Sequence, residues 1–198
     1  MSVKKQNSNR LSGKDLINVG IYSAIYFVIV MAIAMLGYIP IMMPMLCVLA
    51  PIVGGIPFML FLTKVKKFGM ILIMSLIMGI MMALTGMGLY SLPVALVSGL
   101  IAEWVQHRAR YSKMSSSILT SGFFSIWMWG NFIPLFLNPD GYFSTRSEFG
   151  ADYETALKAL LPPWMNPVLL VTCFVCGLIG GWLGKSLLKK HFAKSGIV

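Results

Sequence analysis

Acidic residues are scarce in this chain. Six Asp and Glu stand against sixteen Lys and Arg in 198 residues, and charged residues of both signs make up only 11%. A soluble domain carries about a quarter charged residues, so a surface wetted all round is excluded. Cysteine is nearly absent as well. Cys47, Cys173 and Cys176 sit in or beside apolar stretches, which excludes a disulfide framework. Redox work by Cys173 and Cys176 would need thiolate character and access, so packing is the better reading. Histidine numbers two, His107 and His191. Glu103 and His107 have the four-residue spacing of a metal pair, but zinc needs three or four ligands and His191 lies in the tail. We expect no metal here, and expect Glu103 to pair with Arg108, Arg110 or a partner protein. A complete phosphate loop is missing too. Gly180-Gly181-Trp182-Leu183-Gly184-Lys185-Ser186 has Ile179 where the first glycine belongs, and no strand precedes it. These glycines are expected to pack a helix, Lys185 to reach the surface, and the chain to hold no cofactor of its own.

What is present is apolar length. Hydrophobic residues make up 58% of the chain, sixteen of them methionines. A hydrocarbon core of roughly 30 Å needs about 20 apolar residues per helix. Six stretches come close: 16–36, 44–63, 70–87, 91–107, 117–137 and 166–188. The expected fold is an all-α integral membrane bundle of six transmembrane helices over residues 14–190. A polar segment, 1–13, precedes it and a tail, 191–198, follows it.

Charge placement gives the orientation. Fourteen of the sixteen basic residues flank the spans on one side: before span one, between two and three, between four and five, and after six. Arg146 and Lys158 alone fall in the long connection 138–163. Basic loops stay in the cytoplasm, so both ends are expected inside, in the plasma membrane of a prokaryote. The net charge of +10 therefore meets lipid headgroups rather than nucleic acid. Span one is too long for a signal peptide's apolar region and lacks a cleavage site.

Proline crowds one region. Pro40, Pro44, Pro51 and Pro57, with Gly54-Gly55 among them, predict an irregular apolar outer loop from Gly37 to about Met45 and then a kinked span two. An uncharged outer loop is a candidate lid. Gly86-Met87-Gly88 reads as a tight outer turn, and residues 152–160 as a short surface helix. In span one, Gly20, Ser23 and Ala24 include a small-xxx-small pair, the spacing that lets a second helix approach closely in lipid. Trp127 and Asn131, four apart in the outer half of span five, share a face. With Tyr38, Tyr90, Trp164 and Asn166 they fall at the outer level and form the candidate substrate site, a mix of aromatic walls and few polar groups.

Three features together carry a family resemblance. They are Lys14-Asp15-Leu16-Ile17-Asn18-Val19-Gly20, the run from Gly54 to Gly69 (GGIPFMLFLTKVKKFG), and the six-span layout. From about Lys14 to Lys190 the chain resembles the MptD family of energy-coupling-factor (ECF) transporter S components. The resemblance implies a compact six-helix fold, an outward-facing site roofed by the first outer loop, and three partners: a membrane-embedded T component and two ATPases. In that family small residues on span one contact the T component through Ala-x-x-x-Ala. The matching pair is Gly20 and Ala24, with glycine departing from the motif.

On this reading the chain is no enzyme. It captures a small organic nutrient outside, and ATP is used by its partners. A vitamin or its precursor is the first candidate, and a tetrapyrrole such as haem the second, with tyrosine or methionine left to ligate its iron. Two alternatives stand beside it. One is an intramembrane enzyme centred on Glu103 and His107. The other is a small self-contained carrier, for which no proton or sodium site is evident.

Overall fold

A computed structural model describes residues 10–86 and 89–189. Lys4, Lys5, Lys190, His191 and Lys194, the Met87-Gly88 half of one predicted turn and the 191–198 tail lie outside the described residues. Among the described residues every regular element is a helix. The helices are α1 (Gly13–Ala34), α2 (Met42–Leu62), α3 (Met70–Leu84), α4 (Ser91–Arg108), α5 (Met114–Ser125), α6 (Ile133–Leu137), α7 (Pro139–Ser144), α8 (Gly150–Leu160) and α9 (Met165–Leu187). Tight 3₁₀ turns occupy Met35–Tyr38, Ile126–Asn131 and Ser147–Phe149. Three helical stretches are long and apolar enough to cross a membrane: Gly13–Tyr38, Met42–Leu62 and Met165–Leu187. Met70–Leu84 is apolar but shorter.

Local chemistry sets the ends. Ser12 caps α1 in a reciprocal box: Asp15 Oδ2 accepts from the Ser12 amide at 2.8 Å, and Ser12 Oγ accepts from the Asp15 amide. Lys67, in the turn before α3, donates to Asp15 Oδ2 at 2.8 Å and to the Arg10 carbonyl at 3.0 Å. Gly69 then enters α3 at φ +101°, a left-handed backbone that glycine adopts without a Cβ penalty. These contacts gather the start of α1 and the α2–α3 turn at one end, the basic end.

Two sequence expectations change. The loop Gly37–Met45 shrinks to Ile39–Ile41, because α2 already begins at Met42. Pro44 is then in the first turn, where a missing N–H costs nothing. Pro51 and Pro57 lie inside α2 without ending it. Span five, in contrast, breaks into α5, a 3₁₀ turn and α6. Pro134 stands in the first turn of α6; a regular helix continued from α5 through that position would lose a donor and set the ring against the carbonyl one turn earlier.

Small residues bring the helices together. Gly55 of α2 meets Gly180 of α9 backbone to backbone, and Gly180 also lies on the Pro51 and Ile52 carbonyls. Gly177 and Gly181 pack on Ser125 and Ser121 of α5, and Gly184 on Met59. The glycine run in span six is thus a packing seam, as expected. Cys47, Cys173 and Cys176 are buried free thiols within the bundle.

Candidate functional site

At the end away from the basic residues the bundle holds a cavity of about 240 Å³. The end of α1 contributes Val30, Met31 and Ala34, the turn after it Met35, Gly37 and Tyr38, and α2 contributes Met43, Leu46 and Ala50. Met82 and Thr85 close α3's side, and Met128, Asn131 and Phe132 come from the broken span five. Arg146, Glu148 and Phe149, from the long connection, complete the lining.

Asn131 is the polar centre of this wall. It is only 7% exposed. Its Nδ2 donates to the Met128 carbonyl at 3.1 Å. Its Oδ1 has no partner. The amide orientation is fixed by that bond, since the reverse would set two oxygens against each other.

The roof differs from the expected one. Two outer segments share it. Tyr153 of α8 donates its hydroxyl to the Gly37 carbonyl. Its ring stacks on Phe149 at 4.4 Å, and Phe149 meets Tyr38 at 5.5 Å. Burial pushes the Tyr153 phenol up to about 12. On the other flank the Arg146 guanidinium lies 3.8 Å above the Tyr142 ring and donates to the Tyr142 carbonyl at 2.8 Å. It also donates to Thr145 Oγ1 and to the carbonyl of Gly86, at the end of α3. Residues 146–153 are therefore strapped to both neighbouring turns. The predicted lid is only half of the cover.

The six predicted substrate residues separate. Tyr38 and Asn131 line the cavity. Trp127 does not. It is fully buried, with its ring 6.2 Å from Tyr26. The 3₁₀ turn has three residues per turn, so positions four apart no longer share a face. Tyr90 is 44% and Trp164 65% exposed, and both lie outside the cavity lining. Asn166 is committed elsewhere: Trp129 Nε1 donates to its Oδ1 at 2.7 Å and to its carbonyl at 3.2 Å. The sequence reading missed the five lining methionines, Thr85, Phe132, Arg146, Glu148 and Phe149. Methionine at core spacing looks the same whether it fills a core or faces a cavity.

On α1, Gly20 and Ala24 are exposed, and the space around Gly20 is open. Ser23 is 2% exposed and turned into the bundle, so it is withdrawn from the partner-contact set.

At the basic end, Glu103 is fully buried. Its Oε2 accepts from the Ile71 and Leu72 amides at 2.8 and 3.2 Å, and its Oε1 accepts from the Tyr111 hydroxyl at 3.1 Å. It caps the N-terminus of α3 from a neighbouring helix, where the helix dipole favours an anion. Neither Arg108 nor Arg110 is its partner: Arg108 stacks over Trp104 at 4.5 Å. Arg110 and Tyr111 take left-handed φ of 52° and 55°, and this turn brings Tyr111 back beneath the carboxylate. Burial, followed by the Glu103 carboxylate beside it, raises the Tyr111 phenol above its ordinary range. His107 Nδ1 lies 3.3 Å from the Tyr111 hydroxyl, on the exposed surface. Among the described residues no group of three His, Cys, Asp or Glu side chains could hold a metal.

A family model described as "Hypothetical bacterial integral membrane protein (Trep_Strep)" matches residues 13–194. No curated protein and no solved structure matches the chain.

Proposed function

The chain belongs to the Trep_Strep family of hypothetical bacterial integral membrane proteins, and from that premise we propose that it is the substrate-binding S component of an ECF-type importer. The observation that carries the proposal is the cavity at the end away from the basic residues. It is apolar, roofed by two strapped segments, and contains one buried, unpartnered amide oxygen. Binding sites combine apolar walls with a few placed polar groups in this way. With the basic end in the cytoplasm and six spans, the cavity opens outward.

Three further features support the reading. The sequence shows no complete phosphate loop, which fits an importer whose ATP is used by partner subunits. The exposed Gly20–Ala24 strip of α1 leaves room for a T-component helix. Glu103, the acid on which the enzyme alternative rests, is spent on capping α3. The substrate is a small organic micronutrient, a vitamin or precursor before a tetrapyrrole. A ligand loaded under the 146–153 strap passes inward when the ATPase module moves the subunit.

The test is affinity purification of the tagged chain from its own membranes. Recovery of a T component and two ATPases is expected. Gly20→Leu, whose Cβ would meet no atom within 4 Å on this open face of α1, should fold normally and lose these partners. A purified chain that transports unaided in vesicles would overturn the proposal.

A further inference from the structure

We propose that the cavity selects a small ring compound, neutral or positively charged, that donates a nitrogen-bound hydrogen to Asn131 Oδ1. The inference rests on reading this cavity as the substrate site, and deepens it.

The first ground is the amide. Asn131 Nδ2 gives its two hydrogens to the Met128 carbonyl at 3.1 Å and the Met128 thioether at 3.7 Å, so the oxygen is the group left for a ligand. A ligand N–H that reaches this oxygen as the side chain turns toward the cavity removes the cost of a buried, unmade acceptor. A ligand carbonyl or carboxylate at this point would face a lone pair instead.

The second ground is charge. Arg146 is the one cation in the lining, and its guanidinium is already engaged by the Tyr142 and Gly86 carbonyls, Thr145 Oγ1 and the Tyr142 ring. Glu148, the one acid in the lining, is exposed at the rim and forms no hydrogen bond or ion pair among the described residues. Arg146 keeps its positive charge, so the lining is neutral in sum, but its donors point to its own chain's acceptors while both Glu148 oxygens stay open. A cation therefore has a direct partner at the rim, where an anion meets a guanidinium already bonded elsewhere.

The third ground is the wall. Met31, Met35, Met43, Met82 and Met128 surround the space with thioethers. Such sulfurs are polarisable and make favourable contacts with aromatic edges, which favours a flat ring over a flexible chain. The volume of about 240 Å³ equals that of about eight waters at roughly 30 Å³ each. That is the scale of a one- or two-ring compound and well below a tetrapyrrole.

The experiment uses the full chain in lipid nanodiscs and reads binding by calorimetry. The probes are 2-aminobenzimidazole, which carries N–H donors; indene, a ring frame without them; and indole-2-carboxylate, an anion. 2-Aminobenzimidazole should bind at least tenfold more tightly than either of the others. Asn131→Leu should abolish that preference over indene. Asn131→Asp, which keeps an acceptor if the leucine variant does not fold, should keep the amine and reject the carboxylate more strongly. Glu148→Gln should weaken the amine about threefold. Equal or tighter binding of the carboxylate, an unchanged Asn131→Leu, or no binding of the amine would each overturn the inference. So would a tetrapyrrole or anion found by native mass spectrometry on the purified chain. The importer reading fails separately: it is judged by recovery of the ATPases, which is independent of the probes.

Discussion

Glu103→Ala should unfold this protein far more readily than its place in a short list of acids implies. The side chain is fully buried, and its carboxylate serves three donors. After truncation the Tyr111 hydroxyl can turn to His107 Nδ1, already 3.3 Å away. The Ile71 and Leu72 amides have no such recourse, because they open α3 inside the protein. A buried donor left unmade costs about 1–3 kcal/mol. Two of them give roughly 2–6 kcal/mol, and about 4 kcal/mol is the central value. Against a typical total of about 5–15 kcal/mol this is a large share. Glu103→Gln keeps one oxygen for the two amides and should cost about 1–2 kcal/mol. The assay is reversible unfolding in mixed micelles by denaturing detergent, followed by tryptophan fluorescence. Ligand binding at the opposite end should survive in Glu103→Gln. An alanine variant within about 1 kcal/mol of the parent would refute the capping argument. A glutamine variant that folds normally but loses all function would favour the enzyme alternative.

Three other outcomes follow from the same geometry. Gly180→Ala places a methyl onto the Pro51 and Ile52 carbonyls; backbone cannot yield as a side chain would, so the variant should be lost from the membrane in expression tests. Tyr153→Phe removes the bond to the Gly37 carbonyl, a net interaction of about 1 kcal/mol, and should raise the ligand's dissociation rate about fivefold in stopped-flow measurements. The Tyr153 phenol, pushed up to about 12 by burial, stays protonated in the fold where an unfolded chain would lose its proton near 10. Its contribution to stability is therefore complete below about pH 10 and declines as pH rises through about 12. The tyrosinate absorbance of the parent minus that of Tyr153→Phe should titrate with the higher midpoint, and a midpoint near 10 would place the ring in water.

Much of this molecule could be read from the chain because some signals are local. Apolar length and lysine placement need no knowledge of neighbours, and they define a helical membrane protein. Gly180, Gly181 and Gly184 could be read as a packing seam because small residues one turn apart serve little else in an apolar helix. The candidate site was less legible. Asn131 was found because an amide in an apolar stretch stands out, and Tyr38 because it sits at a predicted turn. Trp127 was misplaced because its face depends on whether residues 126–131 wind with 3.6 or three residues per turn. That depends on Pro134 downstream and on Gly130 packed against Ser91. Glu103 was assigned the wrong partners because its donors, the Ile71 and Leu72 amides, are backbone groups that look alike in every sequence.

The sequence by itself determined the class of this protein, since hydrophobicity and charge are properties each residue carries alone. The tertiary structure decided which of the methionines face a cavity and which buried amide is left waiting. It also decided that residues 146–153, far along the chain, roof a turn made near its start. Those depend on distances between residues remote in sequence, such as the Tyr153 hydroxyl and the Gly37 carbonyl, and no local pattern encodes such a distance.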